Sequence, residues 1–411
     1  MLKASALYIV IIVAVVIAVF SGALLTTAYF YRLELQKNIR YSKLVDNLSS
    51  GTALMLSRDN SFREKEQAMD LYGESTDSVL LKEEGWGLFE LATIQSFTLG
   101  DTIKKAFLIG ESSSDPSAIY LSDEDRPISV GGDTRIIGDA ELPKSGISQA
   151  YVEGKPYKGA HLVEGKIRDS QRTLPEIKKS KIADIESYFK ASDLDLSSTL
   201  LPLNNSFFNP VRKFYFRDAQ TVSNVQLTGK VIIQSDTMIT IKKDAILKDI
   251  IVAAPVIVVE EGFKGSCQLF ASDSVVTGKD CIFTYPSVMG VIRSEKSSVQ
   301  PKVSLGKGSK FTGILFAYEE TRNELRTSIN LGKDCLVKGE IFAVGYVNMN
   351  SPVKVEGKVS CSRFVMQTPV TLYVNYLIDI IINRKVRNPA YLTSSLFNNQ
   401  SADKQVLKWL N

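Results

Sequence analysis

Few side chains in this chain are suited to covalent or metal chemistry. A single histidine, His161, stands in KGAHLVEGK with no second imidazole and no motif around it. One histidine removes most imidazole metal sites and nearly all Ser–His or Cys–His relays. Four cysteines, Cys267, Cys281, Cys335 and Cys361, show neither a CxxC pair nor zinc-ligand spacing. Cys281 and Cys335 each follow a Gly-Lys-Asp turn and so occupy equivalent places. They read as small buried residues, with a disulfide in an oxidising compartment as the alternative. The Gly-Lys pairs lack the first glycine and the Ser/Thr of a phosphate-binding loop, so they read as chain corners. The acidic group Asp123-Glu124-Asp125, ahead of Pro127, is half of what a carboxylate pair for glycosidic chemistry needs. No second cluster of Asp, Arg and Lys stands out at coil spacing, so it reads as a solvated turn. The basic run Arg384-Lys385-Val386-Arg387 likewise reads as a solvated end rather than a lipid patch. No catalytic, cofactor-binding or metal-binding residue is assigned, and a non-enzymatic protein is expected.

The elements that would carry such residues begin with an apolar segment. Between Lys3 and Arg32 there is no charge, and ALYIVIIVAVVIAVFSGALLTTAYFY fills the interval. A spanning helix needs about 20 apolar residues, whereas a signal peptide has a core of about 7–15. Tyr29, Phe30 and Tyr31 sit where an interfacial aromatic belt belongs. Residues 4–31 are therefore expected to contact membrane lipid as an uncleaved single-pass anchor. Arg32, Lys37, Arg40 and Lys43 on the C-side favour that side in the cytoplasm. A short N-terminal tail before a large domain favours export, and the bulk of the chain is read as periplasmic.

The helical pattern continues through Leu33, Leu35, Ile39, Leu44, Val45, Leu48, Leu54 and Leu56, with Gly51 as a point of bending. Residues 57–76 read as a connector with a short helix. Alternation of period two then predicts strands over 78–82, 86–95 and 102–111, a small antiparallel meander. From about Ala118 to Phe364 the chain is short strands and glycine turns. One phrase recurs, as Thr228-Gly229-Lys230, Thr277-Gly278-Lys279-Asp280, Leu305-Gly306-Lys307-Gly308, Leu331-Gly332-Lys333-Asp334 and Glu356-Gly357-Lys358. The following strands rhyme too, FTGILFAYEE with VKGEIFAVGYV. Imperfect repeats of this kind point to a β-solenoid, with each glycine supplying a positive φ at its corner. A β-sandwich with similar hairpins is the alternative. Residues 165–215, with a helix near 181–191, read as an insertion between coils. The terminal KQVLKWLN reads as a cap for the open end.

The balance of 49 basic and 45 acidic residues, net +4, excludes a dedicated nucleic-acid binder, and 44% hydrophobic content excludes a disordered chain. The expected organisation is a transmembrane and stalk helix (1–56), a small α+β region (57–117), a parallel β-solenoid with the insertion at about 165–215 (118–366), and a C-terminal capping segment (367–411). The fold class is mainly β.

MLKASALYIVIIVAVVIAVFSGALLTTAYFYRLELQ resembles, in layout, the N-terminus of minor pilins and pseudopilins. There a short basic leader precedes an apolar helix that runs into an exported domain. The usual leader glycine is absent, as is the Glu five residues into the mature chain; Ser5 to Ile9 occupy that stretch. The repeat region is similar to bactofilins, polymer-forming solenoid proteins with glycine corners. The whole chain looks like uncharacterised membrane-anchored proteins of the Bacteroidetes type. These resemblances imply a structural or assembly component of a cell-envelope machine, with protein partners or self-association and neither nucleic acid nor a small-molecule substrate. A membrane-tethered cytoplasmic scaffold and a polysaccharide-binding or polysaccharide-cleaving β-helix are the other readings.

Overall fold

The computed structural model describes residues 4–57, 66–73, 77–98, 100–152, 154–190, 200–294, 299–322, 324–368, 371–397 and 402–410. The protein is mainly β, with one long apolar N-terminal helix. Its contacts divide it into two compact units. The smaller holds Met1–Glu83 and Ala92–Lys105, and the larger holds Glu84–Leu91 and Ala106–Asn411.

In the smaller unit the helix Ala4–Met55 runs without interruption for 52 residues. Leu44, Leu48 and Met55 are buried, while Leu7, Ile9, Phe20, Leu24 and Tyr31 are exposed. Gly51 does not bend the helix. A Cβ there would lie 3.1 Å from both the Leu81 and Val79 side chains, so the glycine permits close approach of helix to sheet. Gln67–Met69 is a strand paired antiparallel with Asp77–Trp86, so the connector holds a strand where a helix was expected. The flanking residues 58–65 and 74–76 lie outside the described set. The meander is present as Asp77–Trp86, Phe89–Thr98 and Asp101–Glu111.

The larger unit is built on parallel ladders. Ile232 pairs with Ile251, Ile251 with Gln268, Gln268 with Val288, Val288 with Ile314, Ile314 with Glu340, and Glu340 with Lys358. The step is 17 residues at its shortest, from Ile251 to Gln268, and 26 at its longest, from Val288 to Ile314 and again from Ile314 to Glu340. The parallel strands close on themselves as a barrel. Parallel strands are covered on both faces and read as near-continuous apolar runs. Ile250, Ile251, Val252, Ala253 and Ala254 are accordingly all buried. Inward side chains stack in columns, as Phe263 on Phe283 (ring centroids 5.3 Å) and Phe283 on Phe311 (5.8 Å). The outward face packs on a second cluster that joins Ile251, Phe270, Ile314 and Phe316 to Trp86, Phe89 and Leu108 and to Ile182 and Ile185 of the helix Lys179–Glu186.

The order of the coils departs from the order of the chain. The strand Val353–Gln367 pairs on its far side with two distant segments, Val359 with Ile119 and Val353 with Ile380. Beyond these come Arg135 beside Ile381, Asp139 beside Ser117, and Ile167 beside Ala140. Strands within residues 117–169 therefore pair beyond Val353–Gln367, not ahead of the first rhyming strand. The segment expected as a cap, Lys404–Leu410, instead pairs antiparallel with residues 106–111 of the meander strand.

The glycine corners meet the expectation at Gly229 (φ 88°) and depart from it at three others. Gly278, Gly306 and Gly332 open Gly-Lys-Asp/Gly turns, but the positive φ falls on the third residue: Asp280 (52°), Gly308 (72°) and Asp334 (61°). Asp tolerates the left-handed region better than most side chains. The first glycine is required for space instead. A Cβ on Gly306 would lie 2.1 Å from the Gly278 carbonyl oxygen of the next coil. The corner is tied by backbone bonds, with Asp280 N–H donating to Lys307 O (2.9 Å) and Gly308 N–H to Lys333 O (2.9 Å).

Candidate functional site

The residues singled out for chemistry scatter. His161 is exposed. All four cysteines are buried and unpaired, so the disulfide alternative is not realised. Burial pushes the Cys267 thiol up to about 12 and that of Cys335 up to about 11, which keeps both in the unreactive protonated form. The basic run is not a solvated end. Arg387 Nη1 donates to Glu340 Oε1 at 2.7 Å, and Arg384 Nη2 donates to Asp115 O at 2.7 Å. Among the described residues no group of three or more His, Cys, Asp or Glu could hold a metal ion.

Of the acidic group, Glu124 lines a cleft. Asp125 is exposed and pairs with Arg172 at 2.9 Å, as a solvated turn would have it. Asp123 is buried, its Oδ1 accepting from Asp125 N–H (3.0 Å). Glu124 turns inward, and its carboxylate accepts from both Arg322 and Arg363. The turn follows strand Ser117–Leu121, which is pinned beside Val353–Gln367, and that pairing places Glu124 near Arg363.

The cleft is about 480 Å³ in volume. Its floor comes from strand Cys335–Met349, where period-two alternation sends Ile341 and Ala343 into the core and Phe342 and Val344 outward. Tyr318, at the end of strand Lys310–Tyr318, and Leu174 and Ile177, ahead of the helix Lys179–Glu186, complete the apolar wall. Arg326 is buried at its side. Its Nε donates to Glu319 Oε1 at 2.9 Å, and its Nη2 reaches Val344 O at 2.5 Å and Ser362 Oγ at 3.4 Å. Its guanidinium carbon lies 5.6 Å from the Tyr346 ring centroid. Glu319 also accepts from Thr327 N–H at 2.8 Å, so its two oxygens are both engaged. The Nη1 of Arg326 makes no hydrogen bond and lies 3.7 Å from Glu124 Oε1.

Sequence reasoning found Glu124 but not Glu319, Arg322 or Arg326. These fall in EETRNELR, within the second of two successive 26-residue steps, Val288 to Ile314 and Ile314 to Glu340. The extra length of these two steps was the available signal, since loops that lengthen a repeat collect on one face. With Glu124 and Glu319 both occupied by guanidinium donors, the arrangement is suited to binding rather than proton transfer.

No protein-family model matches this chain, and no curated protein matches it. Among solved structures, a competence-associated pilin, ComZ from Thermus thermophilus, overlaps it at 10% identity, covering 92% of this chain and 96% of the pilin, with a TM-score of 0.22. So loose an overlap carries no statement about a shared fold. The helix Ala6–Met55 is long and apolar enough to cross a membrane by length and composition.

Proposed function

We propose that this chain is a non-enzymatic, single-pass protein of a bacterial inner membrane that presents a β-solenoid as a structural or assembly part of a cell-envelope machine. The observation that carries the reading is the helix Ala4–Met55. Its first half exposes an uncharged run of Ile, Val, Leu and Phe, while its second half buries Leu44, Leu48 and Met55. An apolar surface with no protein against it suits lipid, and burial of the second half ties the anchor to a folded unit. The solenoid reading rests on the parallel ladders, each advancing 17 to 26 residues, and on the repeated Gly-Lys-Asp/Gly corner. A stack of this kind offers an extended rigid surface for protein partners or for further copies of itself.

The test is topology. The native cysteines are buried, so a cysteine placed at exposed Tyr151 is the sole target for a membrane-impermeant maleimide. Labelling in intact spheroplasts is expected and supports the envelope reading. Protection that lysis relieves sinks it and leaves the membrane-tethered cytoplasmic scaffold. Release of the chain by alkaline carbonate removes the anchor altogether.

A further inference from the structure

Arg326 is a buried guanidinium whose Nη1 makes no hydrogen bond, with Glu124 Oε1 at 3.7 Å as an ion-pair neighbour. Its side chain is only 7% exposed, and its Nε and Nη2 are spent on Glu319, Val344 O and Ser362. A buried donor left unmade costs about 1–3 kcal/mol, more for a charged group, so such a group calls for a partner. Arg326 lines the cleft described above, whose volume of about 480 Å³ falls within the roughly 300–1,000 Å³ of small-molecule sites.

The rest of the cleft narrows the ligand. Four basic side chains line it, Arg172, Lys179, Arg322 and Arg326, and four acidic ones, Glu124, Glu176, Glu319 and Glu320. They are interleaved rather than segregated, with Lys179 on Glu320 at 3.1 Å and Arg322 on Glu124. A ligand of net charge would meet equal attraction and repulsion. A hydroxyl suits such pairs, because it accepts from the guanidinium and donates to the carboxylate beside it. Tyr318, Phe342 and Val344 supply an apolar wall for the C–H face of a ring.

From this we infer that the cleft between Arg326 and Tyr318 binds a neutral saccharide, with Arg326 Nη1 donating to a ring or hydroxyl oxygen and the ring lying along Tyr318 and Phe342. A single ordered water would also satisfy Nη1, and the experiment separates the two. The inference does not depend on the membrane orientation, since it concerns binding by the purified chain. It gives the polysaccharide-binding alternative a defined site and adds no cleavage step.

The full chain is reconstituted in nanodiscs, because sugar-based detergents would compete. Maltose, cellobiose and N,N′-diacetylchitobiose are titrated by saturation-transfer difference NMR and calorimetry, with digalacturonate as the acidic comparison. At least one neutral disaccharide is expected to bind saturably. Val344→Trp, which fills the cleft and removes no charge, is expected to abolish that binding. Tyr318→Ala is expected to weaken it about tenfold through loss of the ring contact. Thermal unfolding of each variant shows whether it is folded, and Tyr318, being only half-buried, is the variant that keeps the test open if Val344→Trp misfolds. The inference is overturned if none of the three neutral sugars binds, if a folded Val344→Trp chain binds as well as the parent, or if digalacturonate binds more tightly than all of them.

Discussion

The region between residues 246 and 367 includes strands of 14 or 15 residues, Ile246–Val259, Lys264–Thr277, Cys335–Met349 and Val353–Gln367, among shorter ones. The coils between 117 and 169 carry strands of three to five, such as Ser117–Leu121, Arg135–Ile137 and Ile167–Asp169. Both groups stack by parallel pairing and share one core. They differ in how far apart in the chain their partners lie. Ile251 meets Gln268, whereas Ile119 meets Val359 and Arg135 meets Ile381. Closing a longer loop adds entropy only slowly, so the distant pairing is affordable in stability, but it must find its register without help from a neighbouring repeat. Charge does this at the junction. Lys358 holds Asp115 at 2.5 Å, Lys155 holds Asp379 at 2.7 Å, and Asp133 N–H donates to the same Asp379 carboxylate at 2.9 Å. The central coils match by shape, repeat on repeat, and the peripheral coils are matched by specific polar contacts.

Glycine substitutions give the largest expected effects and test this contrast directly. A Cβ on Gly313 would lie 1.8 Å from Ser287 O, a backbone atom of the adjoining coil, and Gly313 has φ of 144°. Gly313→Ala is expected to cost on the order of 4 kcal/mol or more and to abolish a single cooperative transition in calorimetry. At Gly138 φ is also positive (130°), but the nearest atom is the Arg384 Cβ at 2.8 Å and the nearest backbone atom, Pro116 O, is 3.0 Å away, so the expected cost of Gly138→Ala is about 1–3 kcal/mol. Equal costs at the two positions would erase the distinction between rigid and adaptable coils.

Next in size is a cavity in the aromatic column. Phe311→Ala should destabilise by about 3–5 kcal/mol in urea unfolding. It should also expose the central thiols to alkylation in the native state. Ile136→Ala, in the peripheral coils, should cost about 2–4 kcal/mol and leave those thiols protected. Matching thiol exposure in both variants would mean that the two groups of coils open together.

Smaller again is the junction itself. Burial alone would raise the Asp115 carboxyl, but the Lys358 ammonium and hydrogen bonds from Lys358 and Ser117 outweigh it and hold it below the ordinary aspartate value. For Asp379, too, burial is outweighed, here by Lys155 and the Asp133 N–H, and its carboxyl is also lowered. A carboxylate lowered in the folded state contributes stability that is complete above the unfolded value of about 3.9 and is lost as pH falls through the folded one. Hydrogen-exchange protection of Ser117–Leu121 should therefore fall below about pH 4, ahead of that of Lys264–Thr277. Asp115→Asn should produce the same local loss at neutral pH, costing about 1–3 kcal/mol. Uniform protection across both strands in acid would count against a polar junction.

The smallest effect is expected at the thiols. Cys335→Ala should cost about 1 kcal/mol, and the parent chain should resist iodoacetamide at pH 8, well below the value of about 11 to which burial pushes that thiol. Rapid native labelling would show that the central coils breathe as freely as the peripheral ones.

Much of this architecture was legible from local pattern. Rhyme between FTGILFAYEE and VKGEIFAVGYV marked two strands that lie side by side, Phe311 against Val337 and Ile314 against Glu340. The recurrence of Gly-Lys marked the corners, although at Gly278, Gly306 and Gly332 the reason for the glycine was steric crowding between neighbouring strands rather than its own φ, which is positive at Gly229. The helix expected near 181–191 is Lys179–Glu186, and the Trp86–Phe89 end of the meander proved to be the cover for the outward face of the ladders. The cleft was not legible, because Glu124, Arg172, Glu319 with Arg326, and Ser362 come from four separate stretches that meet only once the strands are ordered.

The sequence by itself determined the apolar helix, the mainly β character, the corner phrase and the inward burial of the cysteines. All of these follow from periodicity and composition within a window of some tens of residues. Only the tertiary structure decided that residues 117–169 stack beyond Val353–Gln367, that Lys404–Leu410 returns to the meander, and that Arg384 and Arg387 are structural. A strand edge accepts any partner of suitable register, since backbone hydrogen bonds are alike everywhere. The choice among partners is made by side chains far apart in the chain, and that choice also assembles the cleft around Arg326.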